Sequence, residues 1–363
     1  MSKPLPYVPV LRWKGAEISA VRDLTNAQRA QIKPLFEFVP KAFSKLPVER
    51  AVALKAREVA TNWGWDQPCF IDPNLLGSSV AAAVYALLDK EEYLTATLVT
   101  GLQPRLHPHL LRDLKSVKKH GLAIRVSVHE FRQAGWRKAL VDLLADLQFQ
   151  PTEIDLVIDY GLLASVPDGF ELVMNAVMAL GAWRMVVLLA GSFPSDLSKL
   201  RKNDEHVLPR LEWKGYVGFV QQGGKAAFGD YTIQHAVFEE HEGRGMNFSA
   251  SIRYTHYGSW FIMRGESIQA AGAEQWPAHA QLLCEKGEFR GKDFSAGDAY
   301  ISTMAAQQEN NGTAKDWLSA GINHHIVVTV DQLNHLADIP ATPIEKHFSA
   351  DWPARIPTQV SVN

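Results

Sequence analysis

The sequence predicts a (β/α)8 barrel, a TIM-like α/β fold, with a C-terminal extension that contains a β-hairpin. Short apolar, β-branched runs recur along the first two thirds of the chain, segments with helical periodicity separate them, and most runs end in a charged or hydroxyl side chain. Apolar strands that alternate with helices are typical of a parallel sheet covered on both faces, and eight such units close a barrel. The predicted strands cover residues 7–11, 34–38, 69–72, 96–100, 123–126, 156–159, 185–189 and 226–230.

The segments between these runs carry helix signals. Residues 48–63 and 136–147 place apolar side chains at helical spacing, so each predicts a crossover helix. Residues 107–121 predict a single helix, with Pro108 in the first position and Gly121 as the left-handed cap.

One largely apolar stretch, residues 173–190, is long enough to be considered as a membrane span. Gly181 and Arg184 divide it, which favours a barrel helix followed by a buried strand over a membrane span.

The length of 363 residues exceeds the roughly 250 residues typical of one barrel. We expect the barrel in residues 1–240, an extension packed on it in residues 241–340, and a tail in residues 341–363. Residues 249–255 and 260–264 are two β runs that predict a hairpin. The hairpin could lie over the barrel mouth or decorate an edge far from it. The eighth strand has the weakest support, because the connection from Ser192 to Lys225 is unusually long.

Composition excludes some classes of function. The chain has 37 Lys and Arg, 39 Asp and Glu, and a formal net charge of −2, with no basic stripe. This argues against binding an extended nucleic-acid duplex but permits a small anionic ligand. Cys69 and Cys284 give no disulfide framework, and the first residues do not resemble a secretory leader, so we expect a cytoplasmic protein without membrane association.

Charged strand ends define the candidate catalytic site. The active face of a (β/α)8 barrel is the carboxyl-terminal rim of its strands, where Glu37, Asp72, Asp159 and Asp230 are expected to meet. We predict these four residues as catalytic, and the three aspartates as ligands of Mg²⁺ or a similar divalent metal. Clustered carboxylates repel one another unless a cation relieves them, and Arg125, inside an apolar strand, is the obvious internal partner.

Basic and aromatic residues complete the predicted site. The basic side chains would clamp a phosphate, the aromatic ones would line the edge, and a carboxylate or histidine would activate water. This combination predicts binding of a phosphorylated small molecule or nucleotide and, if the protein is catalytic, a metal-dependent phosphoester hydrolase. The predicted ligand-binding residues are Lys14, Arg125, Arg253, Arg264, Tyr231, Tyr254, Trp213, Trp260 and His324.

Structural explanations exist for the same residues. Asp72 precedes Pro73 and could form a turn, Asp159 and Asp230 could bond neighbouring backbone, and Arg125 could make a structural ion pair with Glu37 or Asp159. Tryptophans in such positions are more often core or lid-packing residues than stacking platforms. Adjacent histidines point in different directions, so His324 and His325 are more easily explained by one of them bonding a rim carboxylate than by joint metal binding. Gly243-Arg244-Gly245 lacks the ending of a phosphate-binding loop.

Several separate motifs resemble the beta protein family. The resemblance spans Tyr7 to about Leu336, and the namesake of the family is encoded by a satellite phage beside the host-killing gene gop. It implies a role in conflict between phages and bacteria, such as defence or antagonism of a toxin encoded nearby, and it supplies no catalytic residues. The motifs include Tyr-Val-Pro-Val-Leu-Arg-Trp-Lys at residues 7–14, Phe-Ile-Asp-Pro at 70–73, Ala-Gly-Ser-Phe-Pro at 190–194 and Asn-His-His at 323–325.

Other classes of function stay open at this point. The barrel could be a non-catalytic scaffold, or an antitoxin, whose aromatic outer surface holds a toxin or effector protein. A retaining glycosidase is a further alternative, which requires two carboxyl groups about 5 to 5.5 Å apart.

Overall fold

All eight predicted strand runs form one closed, parallel barrel in the computed structural model, which describes residues 5–102, 108–166, 170–240, 249–307 and 311–338. The first seven barrel strands are β1 (Val8–Arg12), β2 (Leu35–Glu37), β3 (Cys69–Asp72), β4 (Ala96–Gly101), β5 (Leu122–Ser127), β6 (Ile154–Leu162) and β7 (Met185–Gly191). Strand β8 (Asp204–Pro209) belongs to another sheet, and β9 (Ala227–Asp230) is the eighth barrel strand. The barrel closes because β9 pairs in parallel with both β7 and β1.

The barrel strands alternate with helices, as the periodicity predicts. These helices are α1 (Gly15–Arg22), α2 (Asn26–Arg29), α3 (Pro40–Phe43), α4 (Val48–Asn62), α5 (Ser78–Leu88), α6 (Pro108–Asp113), α7 (Lys115–His120), α8 (Val128–Phe131), α9 (Trp136–Leu147), α10 (Phe170–Met178) and α11 (Leu211–Gln221). Short 3-10 turns cover residues 74–76, 151–153 and 336–338. The apolar stretch 173–190 is a helix followed by a strand, and no helix within the described ranges is long and apolar enough to cross a membrane.

The prediction of one helix over residues 107–121 was wrong. The backbone of Leu114 is extended, so α6 ends before it and α7 begins after it. The Asp89 carboxylate accepts a 2.6 Å hydrogen bond from the backbone N–H of Ser116, which satisfies one of the free donors at the start of α7. His107 lies outside the described residues.

Alternation along the strands divides the core into two parts. Successive strand residues point to opposite sides, so one set fills the barrel interior and the other packs under the helices. Leu35, Phe70, Ala123 and Val157 belong to the interior cluster. Polar residues two positions further along these strands therefore point into the barrel at its carboxyl-terminal end.

A second, antiparallel sheet confirms the predicted hairpin and enlarges it. Strands β10 (Ile252–His256) and β11 (Ser259–Arg264) form the hairpin, and β8 adds to it in the order β10-β11-β8. The long connection before the eighth barrel strand is thus explained, since it contributes β8 to this sheet. Consequently the sheet is not built from the C-terminal segment alone. Four further helices follow: α12 (Ile268–Ala271), α13 (Gln275–Cys284), α14 (Ala296–Ala306) and α15 (Ala314–Asn334).

Helix α15 joins the barrel to this second sheet. It is buried along most of its length and contacts α1, α14 and β10. The sheet packs against α15 and contacts the loops that follow β7 and β9, at the carboxyl-terminal ends of these two barrel strands.

The amino-terminal end of the barrel is closed by an ion-pair network. Asp155, at the start of β6, accepts hydrogen bonds from Lys33 Nζ at 2.9 Å and Arg184 Nε at 2.7 Å. Lys33 also lies over the Phe70 ring, 3.8 Å from its centroid. This end of a (β/α)8 barrel contributes to stability, whereas the opposite end carries function.

Candidate functional site

A cavity of about 390 Å³ opens at the carboxyl-terminal ends of the barrel strands. Its volume is within the range of small-molecule sites. The lining residues are Glu37, Asp72, Asn74, Leu75, Gly77, Ser78, Ala81, Gly101, Leu102, Arg125, Ser127, Glu130, Asp159, Gly161, Tyr231, Ala236, Val237 and Phe238.

Arg125 is the centre of the polar floor. Its Nη1 donates to Glu37 Oε1 and to Asp72 Oδ2, both at 2.8 Å, and its Nε donates to Asp159 Oδ2 at 2.9 Å. Its Nη2 donates to the Tyr231 hydroxyl at 2.8 Å, and that hydroxyl in turn donates to Asp159. Glu37 and Asp72 share one guanidinium nitrogen, so their carboxylates are near neighbours.

Electrostatics favour the charged form of Arg125 in this setting. Burial opposes the charge, but Tyr231, Asp159, Glu37 and Asp72 together raise the pKa of Arg125 well above its usual value. Burial also raises the pKa of Tyr231, so the phenol stays neutral. Three carboxylates surround one guanidinium, and the floor of the cavity is therefore acidic.

The carboxylates differ in their remaining bonds. Asp72 Oδ1 accepts from the backbone N–H of Asn74 and Asp159 Oδ1 from that of Gly161, at 2.9 and 2.8 Å. Glu37 Oε2 is buried without a hydrogen bond and lies 3.5 Å from Arg12 Nε. Asp72 and Asp159 thus each form a turn with the following backbone and an ion pair with Arg125. Both interactions hold the carboxylates in place.

The walls of the cavity are formed by the N-termini of α5 and α8 and by residues 236–238. Gly77 precedes α5 with φ of 80° and provides no side-chain cap, so the first N–H groups of this helix are not capped by a side chain. At the start of α8, Ser127 and Glu130 form a capping box, and Glu130 Oε2 accepts from the Ser127 backbone at 2.7 Å. Phe238 covers the rim, and Arg12 and Lys14 lie over its ring at 5.3 and 4.9 Å.

Four of the five charged residues expected in one cavity therefore meet there, with Tyr231 as the predicted aromatic side chain. The fifth, Asp230, was wrongly placed by sequence reasoning. In β9, Phe228 packs in the core beneath the helices and Ala227 faces the interior, so Asp230 shares the outward side of Phe228.

Asp230 instead anchors a buried network outside the barrel. Its carboxylate accepts from the Tyr7 hydroxyl at 2.5 Å, from Arg210 Nη2 at 3.3 Å and from His325 Nε2 at 2.9 Å. Burial by itself would raise the pKa of Asp230, but His325, Arg210 and these hydrogen bonds lower it below the usual value. One of the two adjacent histidines thus bonds a strand-end carboxylate, as expected, and it is His325.

The basic residues predicted to clamp a phosphate lie elsewhere. Lys14 is beside the rim on Phe238 and does not line the cavity. Arg253 and Arg264 are on the antiparallel sheet, where Arg253 donates to the Ile233 carbonyl at 3.2 Å. Arg125 reaches the cavity, but its donors already bind protein groups.

The predicted aromatic and histidine ligands, apart from Tyr231, are core residues. Trp213 packs edge-on against Phe228, Trp260 packs against Phe193, and both are buried. Tyr254 stacks on His324 with centroids 3.8 Å apart. Both of them bond Asp298, at 2.7 Å each. Trp213, Trp260 and Tyr254 therefore do not form an exposed aromatic surface.

The prediction that Asp72, Asp159 and Asp230 bind one metal ion was wrong for Asp230, because its carboxylate lies outside the barrel interior. Within the described ranges, no group of three or more His, Cys, Asp or Glu residues has the arrangement of a metal site. The carboxylate oxygens of Glu37, Asp72 and Asp159 are nevertheless the hard ligands that Mg²⁺ prefers. Mg²⁺ binding stays a prediction.

Sequence reasoning missed Glu130 and the start of α5. Both carried a signal: Ser127-Val-His-Glu130 is a capping-box pattern directly after a strand, and Gly77-Ser78-Ser79 precedes an apolar helical run.

The fold and the cavity define a (β/α)8-barrel protein with an acidic site of small-molecule size at its carboxyl-terminal mouth. A family model described as Beta protein matches residues 7–331, and the chain therefore belongs to the Beta protein family. A search of curated proteins finds no match to the chain.

Proposed function

We propose that the protein binds a phosphorylated small molecule of nucleotide or sugar-phosphate size in the mouth of the barrel. The main support is the cavity of about 390 Å³ in which Glu37, Asp72, Arg125, Asp159 and Tyr231 meet. Its position matches the site at which barrels of this class carry their chemistry.

The phosphate would bind at the start of α5 rather than on Arg125. The guanidinium of Arg125 is saturated by three carboxylates and a phenol, whereas the first N–H groups of α5 lack a side-chain cap and Ser78 lines the cavity. A helix N-terminus favours an anion through its free N–H groups and its dipole. The carboxylates would then accept hydrogen bonds from ligand hydroxyl groups.

Hydrolysis is the reaction that this arrangement supports best. Glu37 lines the cavity, and we assign its carboxylate the role of taking a proton from an attacking water. A divalent cation bound to Asp72 and Asp159 would neutralise phosphoryl oxygens. Membership of the Beta protein family and the resemblance to its phage-encoded namesake support a role in conflict between phages and bacteria.

Two matched variants test the ligand. Ser78→Asp and Ser79→Asp both add an acidic residue to the first turn of α5, which should preserve or raise stability, but only Ser78 lines the cavity. Calorimetric titration with a panel of nucleoside monophosphates and sugar phosphates, with and without Mg²⁺, should give binding to the wild type and to Ser79→Asp. Binding to Ser78→Asp should be about tenfold weaker.

Two further assays test hydrolysis and biological role: release of inorganic phosphate from the bound ligand, and protection of bacteria against phage. Folded Glu37→Gln should retain ligand binding and lose phosphate release. Absence of binding by the wild type, or protection undiminished in folded Ser78→Asp and Glu37→Gln, would contradict the proposal and favour a protein-binding scaffold.

A further inference from the structure

Two arginines on the antiparallel sheet differ from the arginines of the charged clusters described above. Arg12, Arg125 and Arg210 each have at least one carboxylate partner. Arg253 is partly buried and Arg264 is 8% exposed, yet among the described residues neither forms an ion pair. Burial of a cation without a counter-charge is costly, so this pair requires an explanation.

The two side chains point to the same side of the sheet. Arg253 is opposite Ile262, and Arg264 follows Ile262 by two positions, which places both arginines on one face as diagonal neighbours. Tyr254 and Met263 occupy the other face, in the core of the second sheet and its helices. The arginines therefore face the loops at the carboxyl ends of β7 and β9.

Their existing contacts leave donors unused. Arg253 Nη1 donates to the Ile233 carbonyl at 3.2 Å, and its guanidinium lies 4.9 Å from the centroid of the Phe193 ring. Arg264 Nε is buried and has no hydrogen bond. Asp196 raises the pKa of Arg264 through its charge, but its carboxylate accepts hydrogen bonds from Ser195 and Ser198.

The pKa values of Arg253 and Arg264 are both lowered, as expected for two buried cations with too little negative charge around them. Burial, and secondarily the charge of Arg264, lower the pKa of Arg253 to about 10. Burial also lowers the pKa of Arg264, against the opposing effect of Asp196.

We propose that Arg253 and Arg264 form an anion site for a phosphate group, separate from the cavity at the barrel mouth. Two guanidinium groups match the charge of a phosphate, and their planar forks match the geometry of its oxygens. The partial exposure of Arg253 gives the anion access from solvent. The proposal is independent of the function proposed for the mouth, since neither arginine lines that cavity.

Thermal unfolding in increasing inorganic phosphate, with chloride added to keep the ionic strength constant, tests the site. An anion that binds only the folded state raises the melting temperature with its concentration. The wild type should show this rise, and Arg264→Met should lose it while remaining as stable as the wild type in chloride, because an uncompensated buried cation is removed. Arg264→Lys keeps the positive charge but lacks the planar guanidinium, so it should bind phosphate about tenfold more weakly. This second variant keeps the test decisive if Arg264→Met fails to fold.

A matched control removes a nearby surface arginine. Arg201 is 82% exposed and pairs with Asp204 on β8 at 2.9 Å, so Arg201→Met should keep the full response to phosphate. A wild type without a response overturns the inference. A response that persists in Arg264→Met but disappears in Ser78→Asp also overturns it, since it locates the phosphate at the barrel mouth. Repeating the titration with a nucleoside monophosphate shows whether this site binds free phosphate or the phosphate of a larger molecule.

Discussion

Single residues decide whether the charged groups at the mouth form a site or a structural cluster, and Arg125 shows that they can be both. Its guanidinium binds Glu37, Asp72 and Asp159 at once, so it relieves their mutual repulsion and fixes their positions. Arg125 therefore organises the acidic floor rather than clamping a ligand.

Replacing Arg125 by methionine should destabilise the protein strongly. The change leaves three partly desolvated carboxylates together without a counter-charge, at a cost of about 3–5 kcal/mol in the free energy of unfolding. The loss should shrink in acid, where protonation removes the repulsion. Urea unfolding at pH 7 and pH 4.5 measures both effects.

The control for this variant is Arg22→Met. Arg22 is 56% exposed and pairs with Asp23 at 3.0 Å, so its replacement should cost less than about 1 kcal/mol. Equal losses for the two variants would show that the network around Arg125 contributes no more than a surface pair.

His325 should make stability depend on pH. The Asp230 carboxylate can only accept at Nε2, and the Thr255 hydroxyl, 2.8 Å from Nδ1, can donate to that nitrogen, so both bonds are compatible with a neutral ring. Burial lowers the pKa of His325 below its ordinary 6.5. The unfolded chain then binds a proton that the folded protein does not, and stability falls as the pH drops below about 6.5.

Replacing His325 by glutamine should flatten that dependence. The amide can still donate to Asp230, but the titratable group is gone, so the slope of unfolding free energy between pH 7 and pH 5 should decrease. A residual slope of the same sign is expected, because burial also lowers the pKa of His120, His256 and His279. An unchanged slope in chemical unfolding would mean that His325 binds protons equally in the folded and unfolded states, which would contradict a lowered pKa in the folded protein.

At the scale of elements, α14 and α15 approach each other so closely that a side chain is excluded between them. A Cβ on Gly297 of α14 would lie 2.2 Å from the carbonyl oxygen of Ala320 on α15. The Gly297 N–H donates to Asn323 Oδ1 at 2.9 Å, and Asn323 in turn donates to the Ala20 carbonyl on α1. The helix pair is thereby connected to the barrel.

Gly297→Ala should destabilise the protein, whereas the same substitution at Gly218 should not. Forcing a methyl group into the α14–α15 contact costs about 1–3 kcal/mol or more. A Cβ at Gly218, inside α11, meets nothing within 4 Å, and alanine there should stabilise by about 0.5–1 kcal/mol. Thermal unfolding of the two variants gives the comparison, and shifts in the same direction would contradict it.

The elements themselves could mostly be predicted from the sequence, and the exceptions have physical causes. All eight barrel strands were found because both of their faces are buried, which makes them continuously apolar. That same property hides the direction of each side chain, so the side of β9 on which Asp230 lies could not be inferred. Strand β8 was missed because its first three residues are polar and none of its residues is fully buried. Leu114 divides a helix without a proline or glycine to mark the break.

On the scale of the whole molecule, the barrel separates a stabilising end from a functional end. Strand β6 connects them: Asp155 and Asp159 lie four residues apart on the same strand and both point into the barrel. Asp155 binds Lys33 and Arg184 at the amino-terminal end, and Asp159 binds Arg125 and Tyr231 at the mouth. The two aspartates therefore form a matched pair, each bound to a cation, at opposite ends of the barrel.

Asparagine at each position should separate stability from binding. Asp155→Asn removes a buried carboxylate from the partly buried Lys33 and the more exposed Arg184, so it should lower the free energy of unfolding by about 3 kcal/mol and leave ligand affinity unchanged. Asp159→Asn should cost less stability, because Arg125 keeps Glu37 and Asp72. It should weaken binding of a nucleoside monophosphate about tenfold, through loss of a charged acceptor at the mouth. Urea unfolding and calorimetric titration measure the two quantities, and weaker binding in Asp155→Asn together with intact binding in Asp159→Asn would reverse the assignment of the two ends.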